Sequence, residues 1–434
     1  MQDDVWSSME TARLDELRAI QLKRLRGVVR HAYENNETYH RRFREAGIAP
    51  DDIRSLDDVI RIPVLSKEDL RDAYPFGLIC TPPNTWIELH SSSGTTGKPV
   101  VNVYTEDDLR NWAEVMARGL YAGGLRAGDR MQIAYGFGLF TGGFGFYHGA
   151  RKLGALTVPT SSGNTRRQIR LLRDFGAQAL AATPSYGLYL AEVAEEMGIE
   201  PDGLGLKVGF FGAEAWSEEI RSKLEDRWGP GFRAAEAYGL TEVGGPGTSF
   251  DCEERCGLHI NMDHFLVECV DEEMQPVAEG EEGELVITTL THEGFPAIRF
   301  RTKDLSRLHE DHCACGRTFV RHDRILGRRD DMMKIKGVIV FPRQIEEAIM
   351  GVEGVSENYQ MIKFQSGPFV DLSVQVEPTP DRWGAGDHES LAAAVSAEIL
   401  NLVGLKLEVD VVEPGSIPRS VGKAKRVIDR TKGS

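Results

Sequence analysis

A large α/β domain with a β-rich subdomain, followed by a small α+β domain, is the architecture this sequence predicts, and three observations carry the prediction. From about Trp86 short apolar runs alternate with amphipathic stretches. MQIAYGFG, ALTVP, ALAAT and KVGFFG have strand character, while QIRLLRDFG and LYLAEVAEEMG have helical periodicity; such alternation builds an α/β sheet. FLVECVDEE and GELVITTLT then alternate in period two and are rich in β-branched residues, the pattern of a β layer with one face buried. Finally, 434 residues exceed what one hydrophobic core usually organises, so at least two domains are expected.

The elements follow in order. Residues 1–45 read as helical, with Leu14, Leu17, Ile20, Leu22, Leu25 and Val28 giving an approximate helical stripe. The alternating α/β region and the β-rich region come next. After GRRDDMMKIKG the chain presents a strand at VIVFP, a helix at RQIEEAIMGV, strands near ENYQMIKF and VDLSVQVEP, a helix over HESLAAAVSAEILNLV and a strand at LEVDVVE. That order suits a small α+β domain of about 100 residues. DRWGAGDHES reads as a flexible loop, and the sequence contains neither an internal repeat nor a low-complexity tract.

Composition narrows the function classes. Hydrophobic residues make up 41% of the chain and charged residues 27%, and no stretch approaches the roughly 18 apolar residues of a membrane span. The N-terminus is charged and helix-periodic rather than a basic segment leading into an apolar run, so it does not read as a secretory signal and a cytoplasmic address is expected. A formal charge of −16 argues against nucleic acid as the main partner, because phosphate backbones are bound by basic faces. An anionic ligand must therefore be held locally. The six cysteines, Cys80, Cys252, Cys256, Cys269, Cys313 and Cys315, cluster too unevenly for a disulfide framework, which makes metal binding the better question.

The strongest local signal is Ser91-Ser92-Ser93-Gly94-Thr95-Thr96-Gly97-Lys98-Pro99, where hydroxyls, two glycines and a lysine follow the strand-like TWIELH. Such a loop offers backbone N–H groups, hydroxyls and one ammonium to polyphosphate oxygens. It is not a P-loop, which needs four residues between its glycines and a Ser or Thr after the lysine. Taken alone the segment could equally be a polar linker.

With the motifs that follow it, the sequence resembles the adenylate-forming enzymes, the superfamily of acyl-CoA synthetases, luciferases and peptide-synthetase adenylation domains. The resemblance spans nearly the whole chain from about residue 5. SSSGTTGKP is similar to the phosphate-binding loop of that family, which implies that Ser93, Gly94, Thr95, Thr96 and Lys98 bind ATP phosphates. Ala237-Tyr238-Gly239-Leu240-Thr241-Glu242 resembles the YGxTE motif. The resemblance implies that Tyr238 and Gly239 pack beside adenine, Thr241 contacts the α-phosphate and Glu242 holds magnesium; a carboxylate is a natural ligand for that hard cation. Asp304 in Arg301-Thr302-Lys303-Asp304 matches the aspartate that accepts from the ribose hydroxyls, with Lys303 where glycine is commoner. Gly212-Ala213-Glu214-Ala215 resembles the strand end lining adenine.

Gly327-Arg328-Arg329-Asp330-Asp331-Met332-Met333-Lys334-Ile335-Lys336-Gly337 is similar to the segment joining the large and small domains. The implied division is residues 1–329, the adenylation domain, and 330–434, a mobile C-terminal domain, with Asp330 the hinge between acid activation and thioester formation. Arg328 would approach ribose and phosphate, and Gly337 the thiol tunnel. A hinge needs a few backbone positions that absorb large dihedral changes, which a polar interdomain stretch can supply. Pro418-Arg419-Ser420-Val421-Gly422-Lys423 matches the loop of the catalytic lysine, so Lys423 would bridge carboxylate and α-phosphate; Lys425 is its rival for that role.

RHAYENNETYHRRFREAGI, LFTGGFGFYHGA, DHF with GELVITTLT, and DDMMKIKGVIVFPRQIE place the resemblance in the phenylacetate-CoA ligase branch. It implies an aromatic carboxylic acid, ATP and coenzyme A as substrates and a homodimer as the assembly, with Tyr135, Phe140 and Ala213 walling the acid. Members of this branch also share the Cys-to-GLH spacing and the CxCGRT loop. Cys252, His259, Cys313 and Cys315 then form a Cys3His set suited to structural zinc, with Cys256 as an alternative ligand. Two further readings compete. The acyl group could pass to a carrier-protein thiol or an amine, or the chain could be a non-catalytic, zinc-stabilised nucleotide-binding module.

Overall fold

The computed structural model describes residues 5–92, 98–336, 338–366 and 369–431. Its helical opening is interrupted where the sequence suggests one continuous helical run. Asn36 takes an extended conformation and its side chain accepts from the Tyr39 N–H, which ends α1 (Leu14–Asn35) and starts α2 (Glu37–Glu45). This is the local competition by which Asn favours a cap over a helix interior. Of the predicted stripe, Leu17, Leu25 and Val28 are buried, joined by Val29 and by Gln21, whose amide donates to the Phe265 carbonyl at 2.9 Å. A short helix α3 (Lys67–Asp72), capped by Ser66, and the hairpin β1 (Glu88–Ser91) and β2 (Val101–Tyr104) follow.

The predicted alternation is then realised: α4 (Glu106–Ala122), β3 (Arg130–Ile133), α5 (Thr141–Leu153), β4 (Leu156–Pro159), α6 (Thr165–Phe175), β5 (Ala179–Ala182), α7 (Pro184–Glu196), β6 (Val208–Phe211), α8 (Glu218–Trp228) and β7 (Arg233–Leu240). The five strands lie parallel in the order β7-β6-β5-β3-β4. All four residues of β5 and of β6 are buried, as expected for strands covered by helices on both faces. The turn after β5 is specified locally: Thr183 caps α7 through Tyr186 N–H and Pro184 occupies the first helical position. The sheet continues antiparallel through β8 (Gly245–Asp251) and β9 (Leu258–Ile260).

The β-rich part is a separate antiparallel sheet of β10 (Phe265–Val270), β11 (Gly283–Thr289) and β12 (Phe300–Ser306). From β12 the chain returns to the large sheet as β13 (Leu308–His309) and β14 (Arg321–His322), which pairs with β9, and β15 (Gly327–Arg328) then closes the second sheet against β12.

The C-terminal part comprises β16 (Met333–Ile335), β17 (Val338–Val340), α9 (Pro342–Met350), β18 (Val355–Ser366), β19 (Phe369–Pro378), α10 (Pro380–Ala385), α11 (His388–Val403), β20 (Glu408–Val411) and β21 (Val427–Asp429). Its main sheet runs β20-β19-β18-β21. The stretch read from sequence as a flexible loop, DRWGAGDHES, is instead ordered. Pro380 at the first turn pre-sets α10, and the Trp383 and His388 rings stack 4.1 Å apart across the left-handed Gly386 that ends it.

Apolar residues of this part share one buried cluster with the α6–α8 side of the large sheet, including Leu224, Trp228, Ile345 and Ile349. Polar contacts reinforce the seam: Ser217 N–H donates to Glu346 at 3.1 Å, Lys223 Nζ to the Val355 carbonyl at 2.9 Å, and Arg419 bridges Glu192 and Glu377, each at 2.9 Å. Among the described residues no helix is long and apolar enough to cross a membrane.

Candidate active site

The parallel strands aim their C-terminal ends at one edge of the sheet, the edge at which α/β folds present ligand sites. Tyr135 follows β3, Thr183 and Ser185 follow β5, Gly212 to Glu214 follow β6, and Thr241 and Glu242 follow β7. Ser93, Gly94, Thr95 and Thr96, expected to bind phosphate, lie outside the described residues, as does Gly337. Lys98 is exposed, with its Nζ 5.9 Å from the centroid of the Tyr74 ring.

Tyr238, Asp304 and Arg328 come from three strands in two sheets and meet side chain to side chain. Tyr238 donates its hydroxyl to Asp304 Oδ2 at 2.6 Å, Arg328 Nη1 lies 2.5 Å from Oδ1, and Arg328 Nε reaches Asp330 at 3.1 Å. Burial raises the Asp304 carboxyl from 3.8 to about 6 although Arg328 and Tyr238 pull it down. A buried carboxylate held by two donors that a ribose could replace or share is suited to reading hydroxyl groups. The unusual Lys303 before it adopts φ +68, the left-handed region that glycine enters freely. Here β12 bulges against β11, and Thr302 Oγ1 both donates to the Leu285 carbonyl and accepts from Asp304 N–H. Gly239 is required by close approach: a Cβ there would stand 2.2 Å from the Gly245 carbonyl oxygen.

Thr241 and Glu242 are buried at the mouth of the edge. Thr241 Oγ1 is 3.2 Å from Thr141 Oγ1, and its carbonyl accepts from Asn102 Nδ2 at 2.9 Å. Behind Asn102 stands His292, 2.9 Å from Asn102 Oδ1 and 3.0 Å from Asp108. Glu242 Oε1 pairs with Lys67 Nζ at 3.0 Å. Sequence reasoning missed Lys67, Asn102, Thr141, Thr183 and Ser185, for their partners lie up to 239 positions away and no local pattern distinguishes them from cap or surface residues.

The Lys423 loop reaches this edge from the C-terminal part. Lys423 Nζ lies 5.7 Å from the Phe140 ring centroid. Protein packed around the ammonium desolvates it and lowers its pKa below that of an ordinary lysine, even though much of the side chain stays open to solvent; Glu214 and Glu242 pull the pKa up, and Arg328 and Lys67 add to the lowering. Lys425 instead lines a cleft between the two parts with Tyr189, Glu192 and Glu357. Of the residues expected to wall the acid, Ala213 is exposed with φ +69, and Phe140 is partly exposed. Tyr135 is buried, its ring stacked on Phe146 at 5.2 Å and its hydroxyl donating to the Ala182 carbonyl at 2.5 Å. It braces the ends of β3 and β5 beneath the edge.

At the opposite end of the large sheet Cys252, His259, Cys313 and Cys315 converge, their ligand atoms all within 4.8 Å of one another. Pairing of β9 with β14 places His259 beside Arg321 and so brings the 311–320 loop to Cys252. The Cys252 and Cys313 sulfurs are 3.7 Å apart and Cys315 Sγ is 3.4 Å from His259 Nε2. Tetrahedral zinc with bonds of about 2.3 Å to sulfur and 2.0–2.1 Å to nitrogen separates its ligands by about 3.8 and 3.5 Å, so the spacing fits. Cys256 is exposed, 3.0 Å from Cys313.

Two family models match the chain: AMP-binding enzyme over residues 69–291, and AMP-binding enzyme C-terminal domain over residues 337–431. With the sheet edge just described, they define the chain as a member of the AMP-binding, adenylate-forming enzymes. Among curated relatives, a phenylacetate-coenzyme A ligase of Escherichia coli is 45% identical over 427 residues, covering 97% of this chain and 96% of the relative. The chain therefore belongs to the phenylacetate-CoA ligase branch of that family. Among solved structures it is similar to a 2-hydroxyisobutyryl-CoA ligase in the postadenylation state with 2-HIB-AMP, at TM-score 0.92 and 30% identity over 97% of this chain and 91% of that one. Against the same ligase in the thioesterification state with 2-HIB-AMP and CoA the TM-score is 0.74, at 31% identity over 99% and 93%.

Proposed function

We propose that the chain is an ATP-dependent aryl-acid CoA ligase. An aromatic carboxylate attacks the α-phosphorus of ATP, forming acyl-AMP and releasing pyrophosphate; the coenzyme A thiol then attacks the acyl carbon and AMP leaves. The observation that carries the reading is the convergence on one sheet edge of Lys423, Glu242 and the Tyr238–Asp304–Arg328 group, drawn from widely separated parts of a chain in the phenylacetate-CoA ligase branch.

Each residue has a role its chemistry suits. Asp304 accepts from the ribose hydroxyls, and Tyr238 and the backbone of Gly212 to Glu214 border the base. Thr241 donates to the α-phosphate, its carbonyl fixed by Asn102. Lys423 neutralises charge shared between the entering carboxylate and that phosphate, a role in which preorganised positive charge contributes most. Ser93, Gly94, Thr95, Thr96 and Lys98 hold the departing phosphates. Glu242 is the carboxylate to hold magnesium; Lys67 occupies the place of a cation beside it, and the ion when bound supplies charge neutralisation on pyrophosphate. Phe140 and Ala213 line the acid and Tyr135 supports them from below.

The small domain, residues 330–434, turns about Asp330 between the two half-reactions and brings Gly337 to the thiol. The closer match to a postadenylation arrangement than to a thioesterification arrangement supports this reading, in which Lys423 serves the first half-reaction. Cys252, His259, Cys313 and Cys315 hold a structural zinc, a complete protein set leaving no open position for water. A homodimer working in the cytoplasm completes the reading. The test is pyrophosphate release from ATP across a panel of aryl and acyl acids: release should depend on an aromatic acid, and no acid-dependent release by the wild-type chain would refute ligase function.

A further inference from the structure

The loop carrying Lys423 lies between β20 and β21, and Val421, Lys423 and Lys425 along it are all exposed. Ile417 is buried at the start of the loop and Arg419 pairs with Glu192, whereas the stretch that carries Lys423 has little apolar packing against the active edge. What it does have is a set of polar bonds to the turns after β5 and β6. The Gly422 carbonyl accepts from Thr183 Oγ1 at 3.1 Å, with Ser185 Oγ 3.3 Å away. On the other side of Lys423, the Ala424 N–H donates to Glu214 Oε1 at 2.5 Å. Glu214 is itself fixed, accepting from Ser185 Oγ at 2.8 Å and from the Ser185 N–H at 3.3 Å. The Ser185 hydroxyl has one proton, and the shorter distance assigns it to Glu214, leaving Thr183 as the large-domain donor to Gly422 beside the loop's own Ser420 Oγ, also 3.1 Å away. Both peptide groups flanking Lys423 are thus tied to the large domain.

We propose that the Glu214 carboxylate, with Thr183 and Ser185, is the dock that seats the Lys423 loop for acid activation, making Glu214 a positioning residue for that half-reaction alone. The proposal rests on the two-step ligase reading above. Lys423 has a long flexible stem, so fixing the peptide groups on either side of it is what localises the ammonium, and a misplacement of about 1 Å can cost about 100-fold in rate. The dock joins two domains that part when the small one turns, so its bonds exist only in the acid-activating arrangement and their removal leaves the second step untouched. A carboxylate is suited to this duty because its charge strengthens bonds from N–H and O–H donors.

The competing role for Glu214 is recognition of adenine by its side chain, and it predicts differently. ATP and acyl-AMP both carry adenine, so losing such a contact raises KM for both. Three variants, Glu214→Ala, Glu214→Gln and the double variant Thr183→Val with Ser185→Ala, are compared with wild type in two assays. One is acid-dependent ATP–pyrophosphate exchange, and the other thioester formation from supplied phenylacetyl-AMP and coenzyme A. Expected for Glu214→Ala is a fall in exchange kcat of roughly 10- to 100-fold, with KM for ATP and thioester formation from the adenylate unchanged within about twofold. Glu214→Gln, which keeps an oxygen for the Ala424 N–H, should retain more exchange activity than Ala. If Glu214→Ala does not fold, the double variant, which keeps the carboxylate, carries the test with the same selectivity. Equal loss in both assays, a raised KM for the adenylate, or unaltered exchange would overturn the dock. Absence of acid-dependent exchange by the wild-type enzyme is read before any variant and would refute the ligase reading instead.

Discussion

Replacing Asp304 by Asn removes a buried charge while keeping the side chain's shape, and the structure gives its effect on stability a sign, a size and a pH dependence. The carboxyl is 4% exposed and its pKa is raised from 3.8 to about 6, with burial the chief cause. Below pH 3.8 it is neutral both folded and unfolded. Between 3.8 and about 6 the folded chain keeps a proton that the unfolded chain gives up, so its contribution to stability is lost as pH rises, and above 6 the whole cost is present. At about 1.4 kcal/mol per tenfold change in proton affinity, that cost is at most about 3 kcal/mol at neutral pH and about half as much at pH 5. Asn imitates the neutral carboxyl, and Arg328 keeps Asp330 and Asp331 as partners. Asp304→Asn should therefore raise the urea midpoint of the ligand-free protein at pH 7.5 with an unchanged slope, and raise it less at pH 5. The same substitution should raise KM for ATP roughly 10- to 100-fold through loss of a charged acceptor. Destabilisation at pH 7.5, or an equal gain at both pH values, would refute the reasoning that this site holds its charge at a cost to the fold.

Lys423→Ala should lower acid-dependent ATP–pyrophosphate exchange by about 100- to 1,000-fold, while thioester formation from supplied acyl-AMP stays within about threefold in the same preparation; Lys425→Ala should affect neither strongly. Cys313→Ser should reduce bound zinc, measured by plasma emission on dialysed protein, from about one per chain toward zero and lower Tm; full zinc content would reject Cys313 as a ligand. Gly239→Ala should destabilise by about 3 kcal/mol or more and depress both half-reactions, because its Cβ must displace the Gly245 carbonyl; a variant with unchanged Tm would show that β7 and β8 yield easily there.

The large sheet could be read from sequence because its signals are local. ALAA and VGFF are short apolar runs between turn residues, and β5 and β6 follow them closely. The 381–390 stretch misled because Gly, Asp and Ser suggest a loop, whereas Pro380 and the Trp383–His388 stack impose a helical turn. Asn36 split the opening helical run by capping, a signal present in the sequence but outweighed by periodicity. At the site, Tyr238, Asp304 and Lys423 stand out in the sequence because they sit in motifs, and the structure brings Tyr238 and Asp304 into contact. Lys67 was not: Ser66-Lys67-Glu68-Asp69 reads as an ordinary capped helix start, and only the tertiary fold sets its ammonium against Glu242. Thr183 has the same ambiguity, since its hydroxyl caps α7 and also donates to Gly422. Where one residue serves both a local cap and a distant partner, the local role hides the other.

The most direct measurement is a product balance for the purified chain with ATP, magnesium, phenylacetate and coenzyme A. AMP, pyrophosphate and aryl-CoA thioester are expected in equal amounts, none of them formed when the acid is omitted. ADP and phosphate in place of AMP and pyrophosphate, or AMP and pyrophosphate with no thioester under saturating coenzyme A, would contradict that expectation.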